Sequence, residues 1–232
     1  MWEALPPVTK AWLGCSVVST ALVSFGMLDP GKIAFYLPLI MEDYSLWRFF
    51  TGFLFFGKFS FNFLIQMFIL VRFSSAMEND PFATSRDRGS ADYLFSLLFM
   101  GGLFLIVAWY MNMYFLGNLL SFATLYLWSK KNPDAPTNIW GFAFKGAQLP
   151  WAMIAFNLLT GQSPVPDLTA VVVGHIFYFL VEVLPMQQQK SFLHTPEFLI
   201  RMMSSMTGRQ YFSPAGVPEP PRAAWGHGQR LG

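Results

Sequence analysis

Charge is scarce in this chain. Asp, Glu, Lys and Arg together make up 12% of its 232 residues, about half the ~25% of an ordinary soluble domain. With so few charges a soluble surface could not be kept free of large apolar patches, so a conventional soluble enzyme is excluded. The formal net charge of +2 leaves no broad basic face, which argues against a nucleic-acid partner. There is a single cysteine, Cys15, so no internal disulfide and no cysteine-based metal site can form. No His, Cys and carboxylate cluster has metal-ligand spacing, and no glycine-rich phosphate loop is present; neither a metal nor a cofactor is expected. What the chain has in abundance is apolar surface: 54% hydrophobic residues, 18% aromatic, 26 of them Phe, and a mean hydropathy of +0.41. The solvent these numbers imply is lipid.

Six apolar stretches punctuate the sequence, and they predict an all-α membrane protein with six transmembrane helices. The expected spans are about Ala11 to Leu28, closed by Asp29-Pro30-Gly31, then Gly52 to Val71, Tyr93 to Met113, Tyr114 to Trp128, Trp140 to Leu159, and Leu168 to Leu184, ended by Pro185. A reversal near Asn112 is required between the third and fourth. The fourth, at about 15 residues, covers only ~22 Å at 1.5 Å per residue, so it needs shielding or locally thinned lipid. No cleavable signal peptide is expected, because the first ten residues hold Glu3 and two prolines. Six spans put both termini on one side. Twelve of the 15 Lys and Arg, from Lys10, Arg72 and Arg86 through to Arg230, fall on that side; Lys32, Arg48 and Lys58 fall on the other. The asymmetry predicts cytosolic termini.

Polar residues inside the spans are the candidate functional positions. Lys58, Asn62 and Gln66, four apart, would share one face of the second helix and line a polar groove, or act as interhelical glue. His175 and Glu182 share a face of the sixth. A histidine in a span invites comparison with a Ser–His dyad, and Ser121 is the available hydroxyl. Its context, Leu120-Ser121-Phe122, lacks a glycine-rich turn to make an oxyanion hole, so no catalytic residue is assigned.

Several motifs, in order along the chain, resemble those of the derlins: Trp47-Arg48, ADYLFSLLF from Ala91, KKNPDAP from Lys130, FKGAQLPWAMIAFN from Phe144, Gly174-His175 with Tyr178-Phe179, and FLHTPEFLIRMM from Phe192. Phe49-Phe50 follows the WR pair where some derlins have proline. The resemblance implies a rhomboid-like fold without protease activity, in the endoplasmic reticulum membrane, that helps move misfolded client polypeptides from the lumen to the cytosol for degradation alongside a membrane ubiquitin ligase complex. Active rhomboids carry their serine in a GxSG turn; the matching stretch here, Phe115-Leu116-Gly117-Asn118-Leu119-Leu120-Ser121, lacks it. Gly174 and His175 match the rhomboid histidine position. Oligomeric state, a homo-oligomer included, is left open.

Residues 1–185 would form the membrane domain. In 186–212, Thr195-Pro196-Glu197 reads as the start of a short amphipathic helix carrying Phe198, Leu199, Met202, Met203 and Met206 along the cytosolic leaflet. Residues 213–232 are a proline-rich tether leading to Trp225-Gly226-His227-Gly228-Gln229-Arg230-Leu231. Trp225 and Leu231 as anchors, with Gly226 and Gly228 freeing the backbone, make a short linear ligand. It resembles the SHP box through which derlins recruit the valosin-containing AAA+ ATPase. Two other readings are an active intramembrane serine protease using Ser121 and His175, and a small-solute transporter using the Lys58 stripe. The latter predicts interrupted helices in internal repeats, which the sequence does not display.

Overall fold

The computed structural model describes residues 5–80, 82, 89–139, 141–185 and 193–207. Helix α1 (Pro7–Ser24) is followed by a long loop carrying three short helices, α2 (Pro30–Ile33), α3 (Leu37–Asp43) and α4 (Arg48–Thr51). Then come α5 (Phe61–Asn79), α6 (Gly89–Met111) and α7 (Gly117–Lys131), an antiparallel pair of strands β1 (Pro136–Ile139) and β2 (Phe142–Lys145), α8 (Leu149–Leu159), and α9 (Val165–Tyr178). A π-helical turn, Phe179–Val183, continues α9, and α10 (Glu197–Thr207) comes last among the described residues.

Specific hydrogen bonds define two ends of the bundle. At one end Glu78, near the close of α5, takes the amide N–H of Val8 and Thr9 at the start of α1. Lys131, closing α7, pairs at 2.7 Å with Asp80 just beyond α5. Thr195, ahead of α10, donates to Asp92 in the first turn of α6. At the other end the Phe35 N–H reaches the Tyr114 carbonyl, and the Leu116 N–H reaches that of Gly52. The amide of Asn157, closing α8, donates at 2.7 Å to Asp167, opening α9. Helices α1, α5, α6, α7, α8 and α9 therefore alternate in direction between the ends. The reversal after α6 falls on Asn112, at φ 53°, where the sequence required it; Asn tolerates this left-handed region better than most residues.

Two helices among the described residues are long and apolar enough to cross a bilayer, Gly89–Met111 and the continuous Val165–Val183. Helix α7 is central: eleven of its fifteen residues are buried. Its neighbours contribute Phe73, Met77, Met100, Phe104 and Phe177, each exposed by 1% or less.

Three sequence expectations need correction. Helix α5 starts at Phe61, nine residues later than expected, because the Ser60 hydroxyl accepts the Phe63 N–H and caps the helix there. Lys58 consequently lies on an exposed bend before the cap and does not stack with Asn62 and Gln66. The fifth span also starts late. Its first residues turn at Gly141, at φ +86°, and form the strand pair, so α8 keeps only 11 residues. Finally, the Thr195 side chain goes to Asp92 and does not cap its own helix. Helix α10 docks on the bundle instead, burying Ile200 and Met203 against Ala91, with Val8 and Leu94 beside them.

Candidate functional site

The WR pair divides its work. Arg48 is 94% buried within the first loop, where its Nε donates to Ser45 Oγ at 2.8 Å and its Nη1 donates to the carbonyls of Gly31 and Ala34. One planar fork thus ties together the segments around α2 and α4, a geometry a lysine's single ammonium cannot match. Trp47 points outward, more than half exposed, with its indole N–H on the Lys32 carbonyl at 3.3 Å. Thr51 adds a bond to the Ile33 carbonyl at 3.0 Å. With the Phe35–Tyr114 and Gly52–Leu116 backbone bonds, the loop is fixed against the start of α7. Phe49 packs on Phe35 with ring centroids 5.9 Å apart, so the residue after the WR pair serves as an inward anchor.

No hydrogen bond joins His175 and Ser121. His175 Nδ1 lies 2.9 Å from the Tyr126 hydroxyl, with the rings at 70°. Lys130 sits 5.5 Å above the Tyr126 ring. Ser121, 2% exposed, has no hydrogen-bond partner for its hydroxyl. Gly174 is where α9 crosses α7: a Cβ there would stand 3.0 Å from the Tyr126 ring and 3.5 Å from the Ala123 carbonyl. The glycine lets two helices close up, and the adjacent histidine is held by a tyrosine.

Asn62 and Gln66 are half-buried one turn apart on α5. An apolar groove of about 530 Å³ lies between α5 and α8. Phe61 and Ile65 form one wall, Met153 and Phe156 the other, and Phe142 and Phe144 of the strand pair lie across it. Asn62 and Gln66 are not among its lining residues. Among the described residues no group of three His, Cys, Asp or Glu could hold a metal ion.

One constellation has no counterpart in the sequence reading. Glu78, 2% exposed, accepts the Val8 N–H at 2.9 Å, the Thr9 N–H at 2.7 Å and the Thr9 hydroxyl at 2.8 Å. The Tyr93 hydroxyl donates to Ser74 at 2.7 Å, and Ser74 lies 2.8 Å from the Thr9 hydroxyl. Since Thr9 donates to Glu78, Ser74 donates to Thr9, and a directed chain Tyr93–Ser74–Thr9–Glu78 results. The carboxylate satisfies the otherwise orphan amides that open α1. A lone Glu near the end of an apolar run was the available signal, but its partners lie about 70 positions away.

The Trp225, Gly226, Gly228 and Leu231 motif lies outside the described residues.

A mostly helical bundle with two apolar helices of bilayer length, its buried Arg48 and Glu78 each satisfied by internal hydrogen bonds, has the features of a helical membrane protein. The sequence profile of the Der1-like family matches residues 5–197. Similar proteins include Derlin-1 of Arabidopsis thaliana, 33% identical over 207 residues (88% of this chain, 76% of the relative). Derlin-2.2 of the same plant is 34% identical over 211 residues, covering 85% and 84%. Derlin-2.2 of Zea mays is 31% identical over 243 aligned positions, covering 100% and 93%. The chain belongs to the Der1-like family.

Proposed function

We propose that this chain is a non-enzymatic component of endoplasmic-reticulum-associated degradation. In this reading all six alternating helices cross the reticulum membrane, with both termini in the cytosol, and misfolded clients pass along the α5–α8 groove. The observation that carries it is the mismatch between that groove and a bilayer. Helix α8, which forms one wall, has 11 residues and spans ~16 Å; α7 behind it has 15 and spans ~22 Å. The hydrocarbon core is ~30 Å thick. Lipid must thin beside α8 to meet it, and each unsatisfied backbone group of a client costs several kcal/mol in hydrocarbon. A shorter crossing lowers that barrier.

No residue is assigned a catalytic role. Tyr126 is hydrogen-bonded to Nδ1 of His175, and the Ser121 hydroxyl makes no hydrogen bond, so no Ser–His dyad is formed, which supports a pseudoprotease. Serine-directed phosphonate labelling that disappears in Ser121→Ala would overturn that part of the reading. The work of extraction then comes from outside the chain, through the valosin-containing AAA+ ATPase held by Trp225, Gly226, Gly228 and Leu231, in company with a membrane ubiquitin ligase complex. Trp225→Ala, or deletion of the last eight residues, is expected to abolish co-purification of that ATPase and stall client degradation while the protein still inserts. Retained ATPase binding in both variants contradicts the assignment.

A further inference from the structure

Where α6 turns toward α7, a small pocket opens at the end of the bundle opposite Glu78, and nothing in the proposed export route uses it. It encloses about 110 Å³, well below the ~300–1,000 Å³ of a drug-sized site. A pocket of that size suits one compact group rather than a peptide or an acyl chain. Phe35 and Ala108, each exposed by 3% or less, form its buried lining. Three exposed aromatic residues complete it: Tyr36 ahead of α3, Trp109 in the last turn of α6, and Tyr114 in the turn before α7.

Backbone sets two of the rings. The Phe35 N–H donates to the Tyr114 carbonyl at 2.8 Å, which brings the neighbouring Tyr36 alongside Tyr114. Their ring centroids stand 5.9 Å apart at 57°, an open wedge rather than a parallel stack. Two features then select a cation. Aromatic faces carry negative potential, with Trp the strongest of the three ring types. Helix α6 also ends here with no basic residue in its last turn, so that turn does not counter the partial negative charge of its own C-terminal carbonyls. The kind of cation follows from the lining, in which no carboxylate takes part among the described residues. A primary ammonium or a guanidinium brings N–H donors that need acceptors; a trimethylammonium group has none and is held by ring faces alone.

We infer that this pocket is an aromatic cage for one trimethylammonium group, presented by the headgroup of a choline phospholipid. Position supplies the lipid: α6 is long and apolar enough to cross a bilayer, and the pocket lies at its end, at the depth where headgroups are met. The inference rests on α6 crossing a bilayer and is independent of client export and of ATPase recruitment.

The test uses the full chain in maltoside micelles, with fluorotryptophan in place of Trp109 and its fluorine resonance followed by NMR. The ligands are dihexanoylphosphatidylcholine, dihexanoylphosphatidylethanolamine and free choline. The resonance is expected to shift saturably with the choline lipid and to need about fivefold more of the ethanolamine lipid, as ~1 kcal/mol of cation–π attraction converts. Tyr114→Leu, which keeps apolar bulk but removes a ring face, should weaken the choline lipid by about the same factor. Tyr36→Phe and Tyr114→Phe, which keep both faces and lose only hydroxyls, should bind as the parent does. Free choline is expected to bind more weakly than the lipid, whose chains hold it at the micelle surface; tighter binding of free choline overturns the lipid as the source. Equal affinity for the two lipid headgroups, a shift that never saturates, or a loss in the Phe variants equal to that in Tyr114→Leu would each overturn the cage.

Discussion

At the residue scale the few buried charges are spent on holding backbone in place. Arg48 is the clearest case, since its guanidinium meets a hydroxyl and two loop carbonyls and no carboxylate. Removing it strands those acceptors, and hydrogen bonds to a charged group are worth ~1.5–3 kcal/mol each. Arg48→Ala is expected to destabilise the protein by about 3 kcal/mol and to make the segment between α1 and α5 the first site of limited proteolysis. Arg48→Lys should recover less than half of that loss, because one ammonium cannot reach three acceptors in the guanidinium's plane. Protease mapping of full-length protein in detergent checks both. Glu78 gives a parallel case. In Glu78→Gln the amide keeps one acceptor but turns an N–H₂ toward the amides of Val8 or Thr9. A loss of ~1–3 kcal/mol is expected, with the start of α1 gaining hydrogen exchange before the α7 core does. Uniform exchange across all helices would contradict the capping role.

At the scale of elements, hydropathy proved a good guide to which segments are apolar and a poor one to where helices begin. The stretch from Gly52 to Ser60 is as apolar as a span, yet the Ser60 cap starts α5 beyond it. Likewise Phe142 and Phe144 count as apolar in a sequence window although they sit in a strand. The helix in the tail was legible, but its buried face is Leu199, Ile200 and Met203, so the expected stripe of Phe198, Leu199, Met202, Met203 and Met206 is buried only at Leu199 and Met203. What that face meets was not legible, since Ala91 lies over 100 positions away and no local pattern records such a contact. Phe198 and Met206 stay exposed on the other side. Met203→Asp puts a charge at a position 3% exposed; α10 is therefore expected to detach, exposing the Arg201 peptide bond to trypsin, while the thermal transition of the bundle moves little. An unchanged digestion pattern would show that α10 does not depend on that docking.

At the scale of the whole molecule, the Glu78, Lys131, Asn157 and Thr195 contacts set six helices running in alternate directions. The pairing of His175 with Tyr126 could not be read from sequence, because the two are 49 positions apart and either could have served another partner. The same holds for the α5–α8 groove, whose walls become visible only once α8 is known to be short. That shortness carries the functional reading, so the deciding measurement is where a client lies in transit. A photoreactive amino acid placed singly at Ala155 in α8, at Phe61 at the start of α5, and at Ile106 on the exposed side of α6 would be tested in reticulum membranes with a misfolded client arrested by ATP depletion. Client adducts are predicted at Ala155 and Phe61 and absent at Ile106. Adducts at Ile106 alone, or none at Ala155 and Phe61 while export proceeds through this protein, would contradict the proposed route.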